Sequence, residues 1–572
     1  MPVQNSDVRD IFNKLADLLD IEGANPFKVR AYRNAARTVS GLPGNISDMI
    51  SEDEDLTRLP GIGKDLAGKI REIVETGTLS QLKEEEKKIP HGLDKLLRLE
   101  SLGPKKVKLL YHKLGITNLK ELKEAAKQGN IRKIEGFGKK TEQKILESLE
   151  REKKNEQRIK LLEAEQQAEP LIDHLKKSIG IKKITIAGSF RRRKETLGDL
   201  DILVTCKKDS DVMQKFVEYE DIIKVVSKGK KRSTVVLRTG LQVDVYILAQ
   251  VSYGAALHYF TGSKSHNISI RKMGIEKGLK VNEYGVFKGK KRVAGKTEEE
   301  VYRAVDLVYI EPELRENRGE LEAARKNELP DLVMLKDLRG DLHSHTSETD
   351  GRHSLEEMAQ AAGDLGYEYL AVTEHSKRVT IARGLDDQRL ALRIEQIDRL
   401  NEKLKGITLL KGIEVDILKD GSLDLPDKIL KELDLTVCSV HYYRNLSRKD
   451  QTERIIRAMD NPYFNILGHP TGRLINERPA YEVDLEKIMQ AARERGCCLE
   501  LNAHPDRLDL SDSYCKMARE MSVKIAISTD AHSRSDLKFM RFGVDQARRG
   551  WLEAKDIINT RSLKDLKKNL QR

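Results

Sequence analysis

The stretch GSFRRRKETLGDLDILVT, residues 188–205, decides the fold of the middle of the chain. Its last residues are typical of a β-strand, so Asp199 and Asp201, two positions apart, project from one face of a sheet. Asp244 lies among apolar residues in QVDVYIL, residues 242–248, where a carboxylate is costly unless it is paired or bound to a metal. Three carboxylates on adjacent strands suit a two-metal centre, although a DxD pair alone is equally typical of a solvated strand end.

The residues around these aspartates indicate a bound phosphate. Gly188 and Ser189 end a strand as a phosphate-cradling turn would, and the three arginines at 191–193 follow as cations for a triphosphate. Strand-length apolar pieces recur in this part of the chain as ITIAGSF, DLDILVT, STVVLRT and QVDVYIL. We therefore predict a mixed α and β domain around a phosphate-binding centre.

The segment 188–205 resembles the nucleotidyltransferase signature of the family X DNA polymerases, and YFTGSKSHNISIR, residues 259–271, is similar to that family's nucleotide-pocket segment. The resemblance implies that Asp199, Asp201 and Asp244 hold a pair of Mg²⁺ ions for DNA synthesis. It also implies a site for deoxynucleoside triphosphates that consists of Gly188, Ser189, Arg192, Gly198, Tyr259, Phe260, Gly262, Asn267 and Arg271.

The same resemblance implies a role for each part of this pocket. Ser189 and Arg192 would bind the triphosphate, and Gly262 would let the backbone approach the nucleotide. Tyr259 and Phe260 would wall the sugar against a 2′-hydroxyl, with simple core packing as the alternative for this pair. Asn267 would contact the minor-groove edge of the incoming base, and Arg271 would lie near the template.

Residues 7–152 show the apolar spacing of helices, with short glycine-containing breaks. Three breaks look like helix-hairpin-helix units: LPGIGKDLAGKI at 59–70, LGPKKVKLL at 102–110 and IEGFGKKTEQKI at 134–145. In such units glycines permit a tight turn, and the amides of the second helix point at a DNA phosphate. A glycine-capped turn would explain one unit, but the recurrence favours contact with the DNA backbone without base readout. The predicted DNA contacts are Gly61, Gly63, Gly103, Lys105, Gly136 and Gly138.

In family X polymerases the N-terminal domain can also remove a deoxyribose phosphate through a lysine Schiff base. Lys69 falls at the lyase position of that family, and Tyr32 and Lys28 fall near its usual companions. Asp65, however, stands where a second lysine is often found, and a helix-surface lysine is usually just solvated. Lyase activity, like AP endonuclease activity, therefore stays an open option for this chain.

A charged stretch separates this part from the C-terminal region. After a charged helix expected over about 140–168 and a strand-rich section, EPELRENRGELEAARKNELPD, residues 311–331, is poor in apolar residues and predicts a linker, which we place at 318–336. Seven strand-helix units follow and predict a parallel barrel. Their strands are expected near 339–343, 368–373, 408–413, 434–440, 464–468, 497–501 and 523–528.

Most of these predicted strands end in a potential metal ligand. His343 and His345 in DLHSHTSETDG share one face of an extended strand, although an HxH pair alone is only a moderate signal. Later strand ends supply TEHS, GIEVD, SVHYY, LGHP and STDAH, and barrel enzymes collect functional residues at the carboxyl ends of their strands. This constellation resembles the PHP (polymerase and histidinol phosphatase) domain. The resemblance implies the ligands His343, His345, Asp350, His375, Glu414, His441, His469, Asp530 and His532.

Nitrogen and oxygen donors without cysteine suit up to about three Mn²⁺ or Zn²⁺ ions. Asp350 departs from many stand-alone PHP proteins, which have histidine there, but fits the polymerase-fused type. His353 and His504 stay unassigned, with loop capping as the simpler interpretation, and the Cys497-Cys498 pair is expected in the core.

Composition limits the class of protein. The 572 residues exceed one hydrophobic core, and a net charge of +12 suits a polyanionic partner without identifying it as nucleic acid. The five cysteines show no CxxC spacing, and no run of about 18 apolar residues occurs, so we expect a cytoplasmic protein without a disulfide framework or membrane segment. Eight of the 13 histidines follow residue 340, which favours a metal-binding C-terminal domain.

We predict a multidomain enzyme with an all-α helix-hairpin-helix N-terminal region, an α+β nucleotidyltransferase palm and a C-terminal distorted (β/α)7 PHP barrel. The expected boundaries are 1–85 and 86–155 for two helical DNA-binding domains, 156–250 for the palm, 251–317 for the nucleotide-pocket subdomain, 318–336 for the linker and 337–572 for the barrel.

The leading hypothesis is a monomeric polymerase that fills gapped or primed duplex DNA in repair and trims 3′ ends in its barrel. One alternative is a small-molecule phosphatase, as in histidinol-phosphate hydrolysis, tethered to a DNA-binding region. The other is a DNA-binding scaffold in which both sites are silent, which the complete sets of carboxylates and histidines disfavour.

Overall fold

The computed structural model describes residues 3, 5–40, 42, 46–51, 53–88, 93–97, 99, 102–155 and 158–571. The chain forms two compact units. The first consists of residues 1–159 with 220–224 and 236–242, and the second consists of 160–219, 225–235 and 243–572. The termini of the predicted outer domains and the start of the predicted palm, residues 1, 156 and 572, lie outside the described residues.

The N-terminal part of the first unit is helical, as predicted. Buried apolar residues at helical spacing form two cores, one among the first five helices and one among the next four. The helices are α1 Asn5–Glu22, α2 Pro26–Ser40, α3 Ile46–Ser51, α4 Lys64–Thr76, α5 Ser80–Glu86, α6 Leu93–Leu96, α7 Pro104–Leu114, α8 Leu119–Lys127 and α9 Lys139–Asn155.

A mixed sheet follows in the order β2-β4-β7-β6-β5, and a short β1-β3 pair accompanies it. Strands β2 and β4 run antiparallel, with Ile186 opposite Ile202. The elements are β1 Ile159–Lys160, α10 Leu161–Lys176, β2 Ile181–Ile186, α11 Gly188–Arg191, β3 Thr196–Leu197, β4 Asp199–Cys206, α12 Val212–Val217, β5 Ile222–Ser227, β6 Arg232–Leu237 and β7 Gln242–Ile247.

One local prediction in this region was wrong. The single charged helix expected over about 140–168 is divided into α9 and α10, because Lys160 is extended and its ammonium is buried against Asp506 and Glu477. The strand in ITIAGSF ends before Gly188, as predicted, and the chain turns there into the short helix α11 with a left-handed φ of 63° at Gly188.

The next section is mixed and ends in the segment that composition predicted as a linker. Its elements are α13 Tyr253–Thr261, α14 Lys264–Glu276, β8 Lys280–Asn282, β9 Gly285–Lys288, β10 Lys291–Ala294, α15 Glu298–Ala304 and α16 Glu320–Lys326. The expected linker is not an exposed tether: Leu321 and Leu332 are buried with Trp551, and Arg315 is fully buried. Arg318 pairs with Asp512 of the barrel, and Glu320 is buried beside His266, so low apolar content did not mean that the whole segment is exposed.

All seven predicted C-terminal strands are present, parallel, and paired in sequence order. A parallel bridge between Ser344 and Ala531 connects the first and last strand ends and nearly closes the barrel. The strands are β11 Gly340–Asp341, β12 Tyr369–Val372, β13 Thr408–Asp416, β14 Leu435–Ser439, β15 Ile466–Leu467, β16 Cys498–Asn502 and β17 Ile525–Ser528. The helices are α17 Leu355–Asp364, α18 Asp387–Asn401, α19 Asp427–Leu430, α20 Arg448–Ala458, α21 Leu485–Arg495, α22 Asp512–Glu520, α23 Met540–Arg549 and α24 Leu563–Leu570.

Side-chain alternation in the strands explains the packing of this barrel. Tyr369 and Ala371 of β12 pack in the cluster that includes α24, whereas Leu370 and Val372 pack with the other helices. The predicted fold class is thus confirmed, and Cys497 and Cys498 are buried as predicted. No helix within the described ranges has both the length and the apolar character needed to cross a membrane.

Candidate functional site

The barrel brings its predicted metal ligands together at the carboxyl ends of the strands. Within the described residues, three groups of potential ligand atoms each lie within 4.8 Å of one another. They are His345, Asp350, His375 and His532; His343, His345 and Asp530; and His375, Glu414 and His441. Because His345 and His375 each belong to two groups, the groups form one connected centre.

The carboxylate of Glu414, at the end of β13, lies in the middle of this centre. Its Oε2 is 2.7 Å from Nδ1 of His375, and its Oε1 is 3.3 Å from Nε2 of His441. Nε2 of His469 lies 3.0 Å from the same Oε1, so the ninth predicted ligand also joins the centre. Glu414, at the end of β13, therefore contacts the ligands that follow β12, β14 and β15.

The buried polar atoms of this centre fit bound cations. Nε2 of His343, both ring nitrogens of His345 and Oε2 of Glu414 are buried without a hydrogen-bond partner of good geometry. Unsatisfied buried atoms are costly, whereas a metal ion would take up lone pairs of such atoms. A donor set of imidazoles and carboxylates without thiolate suits Mn²⁺ or Zn²⁺.

The electrostatics of the centre also favour bound cations. Burial, followed by the neighbouring rings of His532 and His375, lowers the pKa of His345 to about 3, so this ring is neutral and can donate a lone pair. Burial would lower the pKa of His343, but Glu500, Asp530 and Glu414 raise it well above its usual value. Carboxylates that favour a protonated ring also favour a metal cation in its place.

The sequence reasoning missed the carboxylates that orient the histidines. Glu500 in β16 is fully buried, with Oε1 2.7 Å from Nδ1 of His343 and Oε2 accepting from the backbone N–H of His469 at 2.6 Å. Asp416 lies 3.3 Å from Nδ1 of His441. The available signal was an acidic residue inside an apolar strand, as in GIEVD and CLELN.

The two unassigned histidines have loop-capping contacts. Nδ1 of His504 accepts from the backbone N–H of Asp506, and its ring packs edge-on against Phe539. Nδ1 of His353 accepts from the backbone N–H of Arg534 at 3.4 Å.

The three predicted catalytic aspartates lie on neighbouring strands of the mixed sheet. Asp199 begins β4, Asp201 follows on the same strand, and Asp244 lies on β7 beside it. Burial and the carboxylates of Asp199 and Asp244 raise the pKa of Asp201 to about 7. Arg232 donates to Asp244 at 3.0 Å. Such crowding of negative charge is typical of a cation site.

The loop between β2 and β4 approaches these aspartates closely. A Cβ on Gly188 would lie 2.9 Å from Oδ2 of Asp201, so only glycine fits. Arg191 forms an ion pair with Glu298, with N–O distances of 2.9 and 2.6 Å, and Arg193 forms one with Asp545 at 2.6 Å. The structure therefore differs from the expectation of three triphosphate cations: these two arginines serve ion pairs with carboxylates.

Four of the remaining pocket residues lie on α13 and α14, namely Tyr259, Phe260, Asn267 and Arg271. The ring of Phe260 packs against that of Tyr246 with the ring centres 4.2 Å apart and the planes tilted by 39°, and the guanidinium of Arg271 lies 5.4 Å from the ring centre of Tyr259. Asn267 donates to the carbonyl of Tyr259 at 2.6 Å. Ser189 lies in α11, Gly198 immediately precedes Asp199, and Gly262 ends α13 with a φ of 69°.

The three glycine-containing breaks of the first unit share one geometry. Gly63, Gly103 and Gly138 each directly precede a helix, namely α4, α7 and α9, and each carbonyl accepts from the first turn. Gly61 and Gly136 have φ values of 66° and 86°, which favour glycine. The glycines before the helices are exposed, so their amides can reach a phosphate. The side chain of Lys105 lies outside the described part.

Lys69 lies on α4 and contacts Tyr32, as expected for the lyase position. Its ammonium donates to the Tyr32 hydroxyl at 2.9 Å and to the carboxylate of Asp65. Burial would lower the pKa of Lys69, but Asp65 and Tyr32 raise it above its usual value. A Schiff base requires the neutral amine, so this environment opposes the chemistry.

Four family models match separate parts of the chain. The model described as DNA polymerase beta thumb matches residues 256–316, and the PHP domain model matches residues 341–504. A helix-hairpin-helix domain matches residues 3–79, and a SAM-like helix-hairpin-helix tandem matches residues 93–151. The matches occur in the order in which the helical, mixed and barrel regions follow one another.

The similar proteins divide into two kinds. The DNA polymerase/3′-5′ exonuclease PolX of Bacillus subtilis is 37% identical over 574 residues, with 100% of both chains covered. A probable phosphatase of Thermoanaerobacter sp. is 34% identical over 208 residues, which are 34% of this chain and 80% of the phosphatase. A probable phosphatase of Acetivibrio thermocellus is 30% identical over 201 residues, with 34% and 78% covered. The first aligns with the whole chain, and the phosphatases align with one part.

Proposed function

Because the chain belongs to the family X DNA polymerases that carry a C-terminal PHP domain, we propose that it extends primers across short DNA gaps and removes nucleotides from DNA 3′ ends. One observation carries the proposal. A carboxylate trio on β4 and β7 and the connected histidine-carboxylate centre of the barrel are both intact in one chain.

At the polymerase site, Asp199, Asp201 and Asp244 would hold Mg²⁺, which would activate the primer hydroxyl and stabilise the leaving pyrophosphate. With a metal bound, Asp201 would be ionised despite the pKa of about 7 that its neighbours impose. Ser189 and Arg192 would bind the triphosphate, and the missing Cβ of Gly188 and Gly262 would let the backbone approach it. The chain would thus position nucleotide and primer and leave charge neutralisation to the metal.

Side chains on α13 and α14 would set nucleotide selection. Tyr259 and Phe260 would exclude a 2′-hydroxyl, and their packing against Arg271 and Tyr246 holds them in place. Asn267 would contact the incoming base from its position beside the carbonyl of Tyr259. Gly198 would keep the approach to Asp199 free of a side chain.

At the barrel site, Mn²⁺ or Zn²⁺ would activate a hydroxide for attack on phosphorus and neutralise the developing charge. Donors without thiolate permit Mn²⁺ as well as Zn²⁺, and of the two we propose Mn²⁺. His345, whose ring is neutral, would be one of the ligands that hold the ions, and contacts with His375, His441 and His469 would keep Glu414 in position. Glu500 would fix the tautomer of His343.

The helix-hairpin-helix units would hold the DNA. Gly61, Gly63, Gly103, Gly136 and Gly138 would let backbone amides reach phosphates, with Lys105 adding charge. We further propose a monomer that works in the cytoplasm, which agrees with its five free cysteines. A tethered small-molecule phosphatase is the weaker alternative, because the similar phosphatases align with only 34% of the chain.

Both activities should be measured on one primed duplex. Asp201→Ala should abolish extension and retain 3′-end degradation, and His345→Ala should do the reverse, because each change disturbs one metal centre. Loss of trimming in the Asp201 variant alone would show that the barrel is not the nuclease. Robust extension by that variant would refute the polymerase assignment.

A further inference from the structure

The loop expected to bind the triphosphate rests on the hydrolase barrel. Arg193 pairs with Asp545 of α23 at 2.6 Å, and Glu195 pairs with Arg473 at 2.7 Å. The backbone carbonyl of Arg192, the residue before Arg193, accepts from Arg549 at 2.6 Å. The barrel therefore fixes both the main chain of this loop and two of its side chains.

Arg549, the last residue of α23, is the most deeply placed of these contacts, with 2% of the residue exposed. Besides the carbonyl of Arg192, its guanidinium donates to Oδ2 of Asp512 at 2.6 Å and to Oε1 of Glu316 at 3.2 Å. Three acceptors in different directions hold the planar guanidinium in one orientation. Arg549 thereby connects the barrel to the nucleotide-binding part of the chain.

Glu316 is shared between two arginines. The same Oε1 that accepts from Arg549 also accepts from Nε of Arg192 at 3.0 Å. Burial would raise the pKa of Glu316, but Arg192, Arg549 and Lys194 hold it below its usual value, so the carboxylate is ionised. An ionised Glu316 competes with a triphosphate for the guanidinium of Arg192.

We propose that Arg549 is a positioning residue for nucleotide binding: it shares Glu316 with Arg192 and so allows Arg192 to transfer from this carboxylate to the incoming triphosphate. The inference rests on the proposed role of Arg192 in the polymerase reaction. When Arg192 leaves, Glu316 keeps Arg549 and is not stranded as a buried charge without an ion-pair partner. Without Arg549, Glu316 would lose its last ion-pair partner when Arg192 moves to the triphosphate, and the nucleotide would therefore bind more weakly.

Three variants test this transfer through steady-state primer extension at varied nucleotide concentration. Arg549→Met should raise KM for the nucleotide about tenfold, with kcat and 3′-end degradation nearly unchanged. Without Arg549, Glu316 holds Arg192 more tightly in the nucleotide-free state, and binding of the nucleotide must break that ion pair. Glu316→Gln should lower KM, because it removes the competitor. The double variant should return to the KM of Glu316→Gln, because no carboxylate is left to strand.

Arg548→Met is the matched control. Arg548 precedes Arg549 on the same helix and pairs with Glu313 at 2.8 Å, so its loss removes the same charge without touching Arg192. Its KM should stay at the wild-type value. A KM rise equal to that of Arg549→Met would mean that the effect is general destabilisation and would overturn the proposal.

Further outcomes separate this inference from the proposed function. A higher KM that persists in the double variant would reduce Arg549 to a structural role. If Arg192→Met raises KM but Arg549→Met and Glu316→Gln do not, the transfer fails and the polymerase assignment stands. If Arg192→Met leaves KM unchanged, the triphosphate role of Arg192 and the transfer both fail. Should Arg549→Met not fold, Glu316→Gln alone decides, since an unchanged or higher KM contradicts the proposed competition.

Discussion

Replacing Glu500 by Gln tests whether a carboxylate outside the ligand set controls the metal centre of the barrel. The two carboxylate oxygens serve three donors: Oε1 faces the ring of His343 at 2.7 Å, and Oε2 accepts from the backbone N–H of His469 at 2.6 Å and from the side-chain amide of Asn502 at 3.2 Å. Glutamine has nearly the same volume but only one acceptor oxygen. At least one of these donors would therefore face an NH₂ group inside the core.

The expected magnitude follows from this geometry. A buried donor that loses its acceptor costs about 1–3 kcal/mol, which corresponds to about a 5- to 150-fold change in an equilibrium constant. Loss of a partner that orients a ligating histidine typically lowers metal affinity by about 10- to 100-fold. We therefore expect metal affinity, and the 3′-trimming rate at limiting metal, to decrease by about 10- to 100-fold.

The assay combines chelator competition for Mn²⁺ with extension and trimming on one primed DNA. Extension should be unchanged, because the aspartates of β4 and β7 do not contact Glu500. Glu494→Gln is a matched control, because this residue lies on the preceding helix with 52% of its side chain exposed. Wild-type Mn²⁺ affinity and trimming in Glu500→Gln would refute the orienting role.

Three further predictions follow from other contacts. Burial would raise the pKa of Glu298, but Arg191 and Arg315 lower it from 4.5 to about 2. The ionised carboxylate therefore adds about 3 kcal/mol to the free energy of unfolding, and this contribution is lost as pH falls from 4.5 towards 2. Urea unfolding should show Glu298→Gln destabilised by that amount at pH 7 and by about half at pH 3, and an equal difference at both pH values would contradict the shift. Affinity for gapped duplex should fall steeply with salt in anisotropy titrations and vary little with sequence, whereas strong sequence selectivity would argue against phosphate contacts. Borohydride trapping on an abasic-site deoxyribose phosphate should vanish in Lys69→Ala and rise in Asp65→Asn, which frees the amine, and undiminished trapping in Lys69→Ala would place the nucleophile elsewhere.

The sequence by itself determined the architecture and the ligand set of the barrel. The barrel strands are short apolar runs that alternate with helical segments, a pattern readable within a short window, and all seven predicted strands are present. Most of these strands end in a histidine or carboxylate, and parallel strands deliver such residues to one end of the barrel. The nine ligands converge for that reason, and Asp201 and Asp244 meet on neighbouring strands in the same way.

Only the tertiary structure decided which charged residues serve the sites and which hold the fold. Arg192 and Arg193 are neighbours of the same charge, yet Arg192 pairs with Glu316, whereas Arg193 pairs with Asp545, which lies 352 positions away. Glu500 has an ordinary acidic side chain in the sequence and becomes an orienting partner because His343, 157 positions away, packs against it. A side chain's charge states what it can bind, but its partner is fixed by packing of distant segments, which no local pattern records. For the same reason the segment expected as a linker is anchored by buried residues such as Leu321 and Leu332, although about half of it is exposed.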